Sequence, residues 1–227
     1  MNFAALVERL RMECAVSGPE ITTVQGTLPR EIGRLKKWIV TAWEELQLKH
    51  ADWEFLRIAS SHSIPQYASL LNPAEYAADT VSDWKIDTFR LAAAGGGFDE
   101  SVPIAFLDYE TWRITDGLDS TLYARPNSIT VRIKDKALFV GPSADVAYEL
   151  YYDYYRTPQT LSADADIPLC PARFHIAIVY RAMQMYGRYE AAPEVLSDGL
   201  RNYRRMLAEM ENDQLPAVQI PGHSDAS

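Results

Sequence analysis

The sequence predicts an α+β protein: N- and C-terminal helices form one core, and a mostly antiparallel β module is inserted between them. Three observations predict this class. Apolar residues recur at helical spacing near both ends, they alternate at period two in between, and turn residues punctuate the middle into short segments.

At the N-terminal end, Phe3, Leu6, Val7 and Leu10 mark a helix over 2–13, and 16–26, with Gly18, Pro19 and Gly26, is a loop. Thr27 suits an N-cap and Pro29 a first helical turn, so a helix is expected from there to about Lys49. Its stripe is Ile32, Leu35, Ile39, Ala42, Trp43 and Leu46. From Trp53 the pattern shortens. Segments 55–60 and 64–71 are expected to pair as a hairpin, 84–91 is a further strand, and the glycine-rich 94–101 is a loop. Residues 104–114 fit either a strand or a short helix. Ile129, Val131 and Ile133 alternate, Lys134 to Lys136 turn, and 137–140 returns. The longest strand is expected at 146–156, with Val146, Tyr148, Leu150, Tyr152 and Tyr154 on one face. Ala147, Glu149, Tyr151, Asp153 and Tyr155 occupy the other.

Helical spacing returns at Pro171, with Ile176, Val179, Tyr180, Met183 and Tyr186 in one stripe. The break Ala191 to Pro193 is so short that the next helix, 193–212, must run back antiparallel. Its inner stripe is Leu196, Leu200, Tyr203, Leu207 and Met210, while Arg201, Arg204 and Arg205 lie towards the other side. These elements give a helical core from 1–52 and 171–213, an inserted β-rich module at 53–170, and a tail at 214–227 expected to be disordered in an isolated subunit.

Composition narrows the function. The 5 Trp, 13 Tyr and 7 Phe exclude wholesale disorder. No apolar stretch approaches the roughly 20 residues that span a bilayer. Glu8, Arg9, Arg11 and Glu13 interrupt the N-terminal segment, so no secretory signal is expected there and a cytosol-like compartment is. The net charge of −9 is concentrated between 61 and 170, where sixteen acids face eight bases. So acidic a segment cannot make the many basic contacts to phosphate that tight nucleic-acid binding requires, although it can face DNA across a gap.

No GxSxG, HExxH, GxxxxGK[ST] or GxGxxG occurs. Cys14 and Cys170 stand far apart and read as buried free thiols, and the four histidines show no ligand pairing, so no metal, cofactor or catalytic residue is expected. Asp108 with Glu110, or Asp164 with Asp166, have the carboxylate pairing that glycosidases use, but solvated acids fit them better. His175 reads as a structural histidine. Two features hint at assembly. Tyr151 and Tyr155 project from the strand face opposite the core, where a protein interface would bury the rings; alternatively, another element of the same subunit covers them. The first long helix also carries Arg34, Lys36 and Lys37 early and Glu44 and Glu45 late, against its macrodipole, an order that a neighbouring chain would compensate.

The run from Pro171 to Glu190 resembles the C-terminal helix of head-to-tail adaptor proteins of tailed bacteriophages. So do Tyr154 to Pro158 followed by Asp164, Asp166 and Pro168, the closing Asp213 to Pro216, and the early helix through Trp38 and Trp43. The inserted β region also resembles gatekeeper-type adaptors of short-tailed phages. The resemblance implies a structural, non-enzymatic protein of the virion neck, assembled in the host cytoplasm. It implies a ring of twelve copies beneath the portal protein, extending the DNA channel and offering a platform for a tail, stopper or tail tube protein. Double-stranded DNA would pass without sequence-specific binding, and no membrane is involved. It further implies that Gln214, Leu215, Pro216, Val218 and Ile220 dock on the portal. The helices become inter-subunit surfaces, with Arg34, Lys37, Glu44, Glu45, Arg201, Arg204 and Arg205, alongside Tyr151 and Tyr155, as the candidate contacts. Two other classes compete: a virion-associated cell-wall glycosidase using Asp108 or Glu110, and a carbohydrate- or host-surface-binding β module using Tyr151.

Overall fold

A computed structural model describes residues 1–71, 80–117 and 121–216. The helices are α1 (Phe3–Glu13), α2 (Arg30–Leu48), α3 (Tyr109–Thr115), α4 (His175–Tyr189) and α5 (Pro193–Gln214). The strands are β1 (Arg57–Ile64), β2 (Val81–Ala93), β3 (Val102–Pro103), β4 (Ala105–Phe106), β5 (Tyr123–Ala124), β6 (Ser128–Arg132), β7 (Ala137–Gly141), β8 (Ser143–Ala144) and β9 (Tyr148–Arg156). The chain divides into two compact units: Met1–Leu56 with Pro158–Ser227, and Arg57–Thr157. The architecture is α+β, with helices from both chain ends in one unit and an antiparallel-rich sheet in the other.

In the helical unit, α1 is capped by Asn2, whose side chain accepts the Ala5 amide at 2.9 Å. The cap of α2 differs from expectation. Pro29, not Thr27, holds the N-cap position, and its carbonyl accepts the first helical bond from the Gly33 amide at 2.9 Å. Pro29 sits at ψ 145, so the chain is still extended there and Thr27 stands too early to reach the helix. The expected stripe of α2 buries Leu35, Ile39, Ala42, Trp43 and Leu46.

Helix α4 is the centre of this unit, packed by α1, α2 and α5 and burying His175, Ala177, Ile178, Val179, Ala182, Met183, Gln184 and Gly187. Two glycines let α5 lie close along it. A Cβ on Gly187 would stand 2.8 Å from the Leu196 nitrogen, and one on Gly199 would stand 3.0 Å from the Tyr180 oxygen. Moving from 187 back to 180 on α4 thus moves from 196 on to 199 along α5, the expected antiparallel hairpin. Trp43, Phe55 and Trp53 stack with centroid separations of 5.9 and 5.4 Å, and the Trp53 indole donates to the Leu46 carbonyl at 3.0 Å.

Residues 158–170 pack with the helices rather than with the β module in which the sequence placed them. Hydrogen bonds do this. The Phe3 amide donates to the Asp166 carbonyl at 2.8 Å, and the Gln47 side chain donates to the Gln159 carbonyl at 2.9 Å and accepts the Gln159 amide at 2.7 Å. Such polar ties leave no trace in hydrophobic periodicity.

In the β unit the principal sheet has the order β1-β9-β2-β3. The expected local hairpin of 55–60 with 64–71 does not form. Instead β1 continues to Ile64 and pairs antiparallel with β9 in unbroken register, from Arg57 opposite Tyr155 to Ile64 opposite Tyr148. Beyond Ile64 the chain turns at Pro65 and Tyr67, and Leu70 bridges to Phe139. The longest strand is β2, with 13 residues, not β9, with 9. Between Lys85 and Arg90 the β2 register jumps by several residues, and the Thr88 hydroxyl accepts the Asp153 amide at 2.9 Å in place of a backbone carbonyl. The β6–β7 hairpin forms as expected, from Ser128 opposite Gly141 to Arg132 opposite Ala137. The ambiguous 104–114 stretch becomes the short β4, parallel to β6, followed by α3. The expected core face of β9 buries Tyr148, Leu150, Tyr152 and Tyr154, together with Trp84, Phe89, Ile129, Leu138 and Val140. Val146 falls just outside the strand and is exposed.

Candidate functional site

Of the four carboxylates with catalytic spacing, Asp108, Asp164 and Asp166 are held by the fold. Asp108 is the N-cap of α3, accepting the Glu110 and Thr111 amides at 3.0 and 3.1 Å. Bonds from the Thr111 hydroxyl and amide hold its carboxyl below the usual carboxylate range. Asp164 accepts from the Thr23 hydroxyl and the Val24 amide, both at 2.7 Å, and is lowered by the same groups. Asp166 is lowered by the Ser162 and Ala163 amides. Acids kept ionised in this way are poor proton donors near neutrality. Glu110 is exposed, 3.5 Å from Arg113.

Cys14 and Cys170 are free and buried, and burial pushes both thiols up to about 12, well away from a nucleophilic thiolate. His175 is buried with Nε2 on the Cys170 carbonyl at 3.0 Å, and burial lowers its pKa. Among the described residues no group of three or more His, Cys, Asp or Glu could hold a metal ion. Among them, too, no helix is long and apolar enough to cross a membrane.

The candidate assembly residues fall into two sets. Some are already engaged within the subunit. The Arg34 guanidinium lies 4.5 Å over the Tyr189 ring and donates to its hydroxyl. Glu45 accepts from Arg181 Nε at 2.7 Å, and Glu44 lies 3.5 Å from the Thr160 hydroxyl. The inverted charge order of α2 is therefore partly answered by α4, not left wholly for a neighbour. Tyr155 is buried in the subunit, while half-buried Tyr151 donates its hydroxyl to the Gly96 carbonyl at 2.8 Å and meets the edge of Phe98. Arg201 pairs with Asp198 at 2.6 Å.

The others face solvent. Lys37, Arg204 and Arg205 are exposed and have no ion-pair partner among the described residues. Gln214 ends α5, with Leu215 and Pro216 following it; Val218 and Ile220 lie outside the described residues.

A feature missed from sequence lies beside Lys37. An open groove of about 500 Å³ follows α2, lined by Leu28, Gly33, Lys36, Lys37, Val40 and Thr41. Gly33 closes the first turn of α2, and a Cβ there would meet nothing within 4 Å.

A family model described as "SU10 adaptor protein" matches residues 1–221, and so covers both units. The chain belongs to the SU10 adaptor protein family. Membership agrees with the likeness to head-to-tail adaptors read from the sequence. No curated protein matches the chain.

Proposed function

We propose that this chain is a head-to-tail adaptor of a tailed bacteriophage, a component of the virion neck that binds beneath the portal as a ring and carries the tail components below. The observation that carries this reading is the SU10 adaptor match over residues 1–221, which takes in the helical unit and the β unit alike. The chemistry supports it. Asp108, Asp164 and Asp166 are spent on caps and turns, and the thiols are buried.

A ring is a closed heterologous assembly, so each subunit presents two different complementary patches. The unpaired basic residues of α2 and α5 supply material for them. Twelve copies, as in the adaptors that the sequence resembles, would extend the DNA channel and form a platform for a stopper or tail tube protein. The β unit, 57–157, holds fourteen acids against nine bases, and wherever it meets the channel its negative potential repels phosphate, so DNA slides without sticking. The segment from Gln214 to Ile220 docks on the portal, tethering each copy to a template that offers many sites at once.

The test is recruitment. Purified portal rings mixed with the full chain should co-sediment with it. A chain ending at Asp213 should keep its circular dichroism spectrum and lose portal affinity by on the order of a hundredfold. Equal recruitment of both forms would contradict docking through the tail.

A further inference from the structure

The principal sheet of the β unit ends on β1, and the direction of the β1 backbone follows from its neighbour. Along β9 and its flanks, the Ala147 carbonyl accepts the Ala94 amide, the Asp153 amide bonds the Thr88 hydroxyl, and the Thr157 amide bonds the Thr80 carbonyl. Odd-numbered residues of β9 therefore turn their backbone towards β2, and even-numbered ones towards β1. Ala59 stands opposite Asp153, Ser61 opposite Tyr151 and Ser63 opposite Glu149, so the amides and carbonyls of these three β1 residues point out of the sheet. All three residues are exposed, and no described residue bonds those groups.

Such an edge pairs with another strand unless something blunts it. The opposite edge of the sheet is blunted, since β3 has two residues and ends at Pro103. β1 is not: 58–64 holds no proline, no lysine and no bulge against β9. The side chains of Ala59 and Ser61 share the face away from the core with Tyr151 and Asp153. There they border a hollow of about 550 Å³, lined also by Arg90 and Phe98. A strand added beside β1 puts the side chains opposite Ala59 and Ser61 on this face. β1 offers nothing larger than a hydroxymethyl group to keep them from Tyr151, whose ring meets exposed Phe98 at 5.6 Å.

Charge narrows the sequence of the added strand. The bases at the hollow are engaged, Arg57 with Asp153 and Arg90 over the Phe98 ring and on the Ser101 carbonyl at 2.6 Å. Glu149, on the same face, has no ion-pair partner among the described residues, and neither have Asp99 and Glu100 beside Phe98. The unmatched charge is negative. Another copy of the chain is a poor source for the strand: its β3 is too short, and two β1 edges would join as a two-fold dimer, not a ring.

We propose that β1 is an acceptor edge for an extended segment of a tail component. The segment adds antiparallel to β1, with large apolar side chains opposite Ala59 and Ser61 and a lysine or arginine opposite Ser63, beside Glu149. The source of the strand rests on the adaptor reading; the acceptor edge and the chemistry it selects do not.

The probe is the acetylated and amidated peptide Thr-Lys-Thr-Phe-Thr-Val-Thr, which in antiparallel pairing sets its lysine, phenylalanine and valine opposite Ser63, Ser61 and Ala59. In the full chain alone, the Ser60 and His62 amides should be protected from hydrogen exchange and those of Ala59, Ser61 and Ser63 should not; the peptide should protect all five. Ser61→Pro removes only an outward amide, so the melting temperature should hold while peptide affinity falls at least about tenfold. Glu149→Lys should weaken binding similarly, and a peptide with glutamate in place of lysine should recover it. Wild type that leaves the three amides unprotected at millimolar peptide, or charge reversal without recovery, overturns the proposal. So does protection of those amides in the free chain that vanishes when the chain ends at Asp213, since its own tail would then fill the edge. On portal rings, Ser61→Pro should assemble as wild type does and fail to retain the tail component. Loss of ring formation by Ser61→Pro would make the edge a joint between copies and refute the proposal. If wild type itself forms no ring on portal, the adaptor reading is lost, and with it a tail component as the source of the strand.

Discussion

Trp53→Ala is expected to destabilise the helical unit by about 3–5 kcal/mol, the usual cost of removing a fully buried indole. Trp53 is wholly buried, stacks 5.4 Å from Phe55, and meets His50 edge-on at 4.9 Å. It also satisfies the Leu46 carbonyl with its indole N–H. The variant therefore loses apolar burial and exposes a backbone acceptor near the end of α2. Trp53→Phe separates the two effects: most of the stacking survives, the hydrogen bond does not, and the loss should fall to about 1–3 kcal/mol. Chemical denaturation followed by far-ultraviolet circular dichroism measures both. A loss below about 1 kcal/mol for Trp53→Ala would contradict its place in the core.

Gly187→Leu should be comparably severe, and for the opposite reason. A Cβ at 187 would lie 2.8 Å from the Leu196 nitrogen and 2.9 Å from the Leu196 Cβ, so the larger side chain must push α5 off α4. Overpacking of this kind costs about 1–3 kcal/mol and more where backbone must move. Gly187 and Gly33 then give a paired result. Gly187→Ala should lower the melting temperature, while Gly33→Ala should raise it, because only Gly187 faces a close backbone and alanine otherwise favours the helix. Equal effects at the two positions would refute the α4–α5 contact described above.

The helices were the most legible part of the fold because their signal is local. Ile39, Trp43 and Leu46 in α2 repeat at three and four residues and are buried where the spacing placed them. The β6–β7 hairpin was legible for the same reason, its strands being four residues apart. The β1–β9 ladder was not. Its partners stand about ninety residues apart, and alternation shows that a strand exists without showing what it pairs with. The segment 158–170 was misplaced because Asp164 and Asp166 bind backbone amides, and a carboxylate in such a turn looks in sequence like any solvated acid.

The candidate surfaces divide along the same line. Exposed Lys37, Arg204 and Arg205 could be named from helical position alone, whereas the use of Arg34 on Tyr189 and of Glu45 on Arg181 depends on how α2 meets α4. Tyr155 shows the limit of alternation as a guide to exposure, since both faces of β9 carry buried tyrosine. That Gly33 has nothing within 4 Å of where a Cβ would stand is visible only in the folded chain.

The most direct test of the adaptor reading is electron cryomicroscopy of the purified chain with and without portal rings. A monomer alone, becoming a closed collar coaxial with the portal and continuing its channel, is the expected result. A chain that ignores the portal, or forms the same dimer whether or not the portal is present, would contradict it.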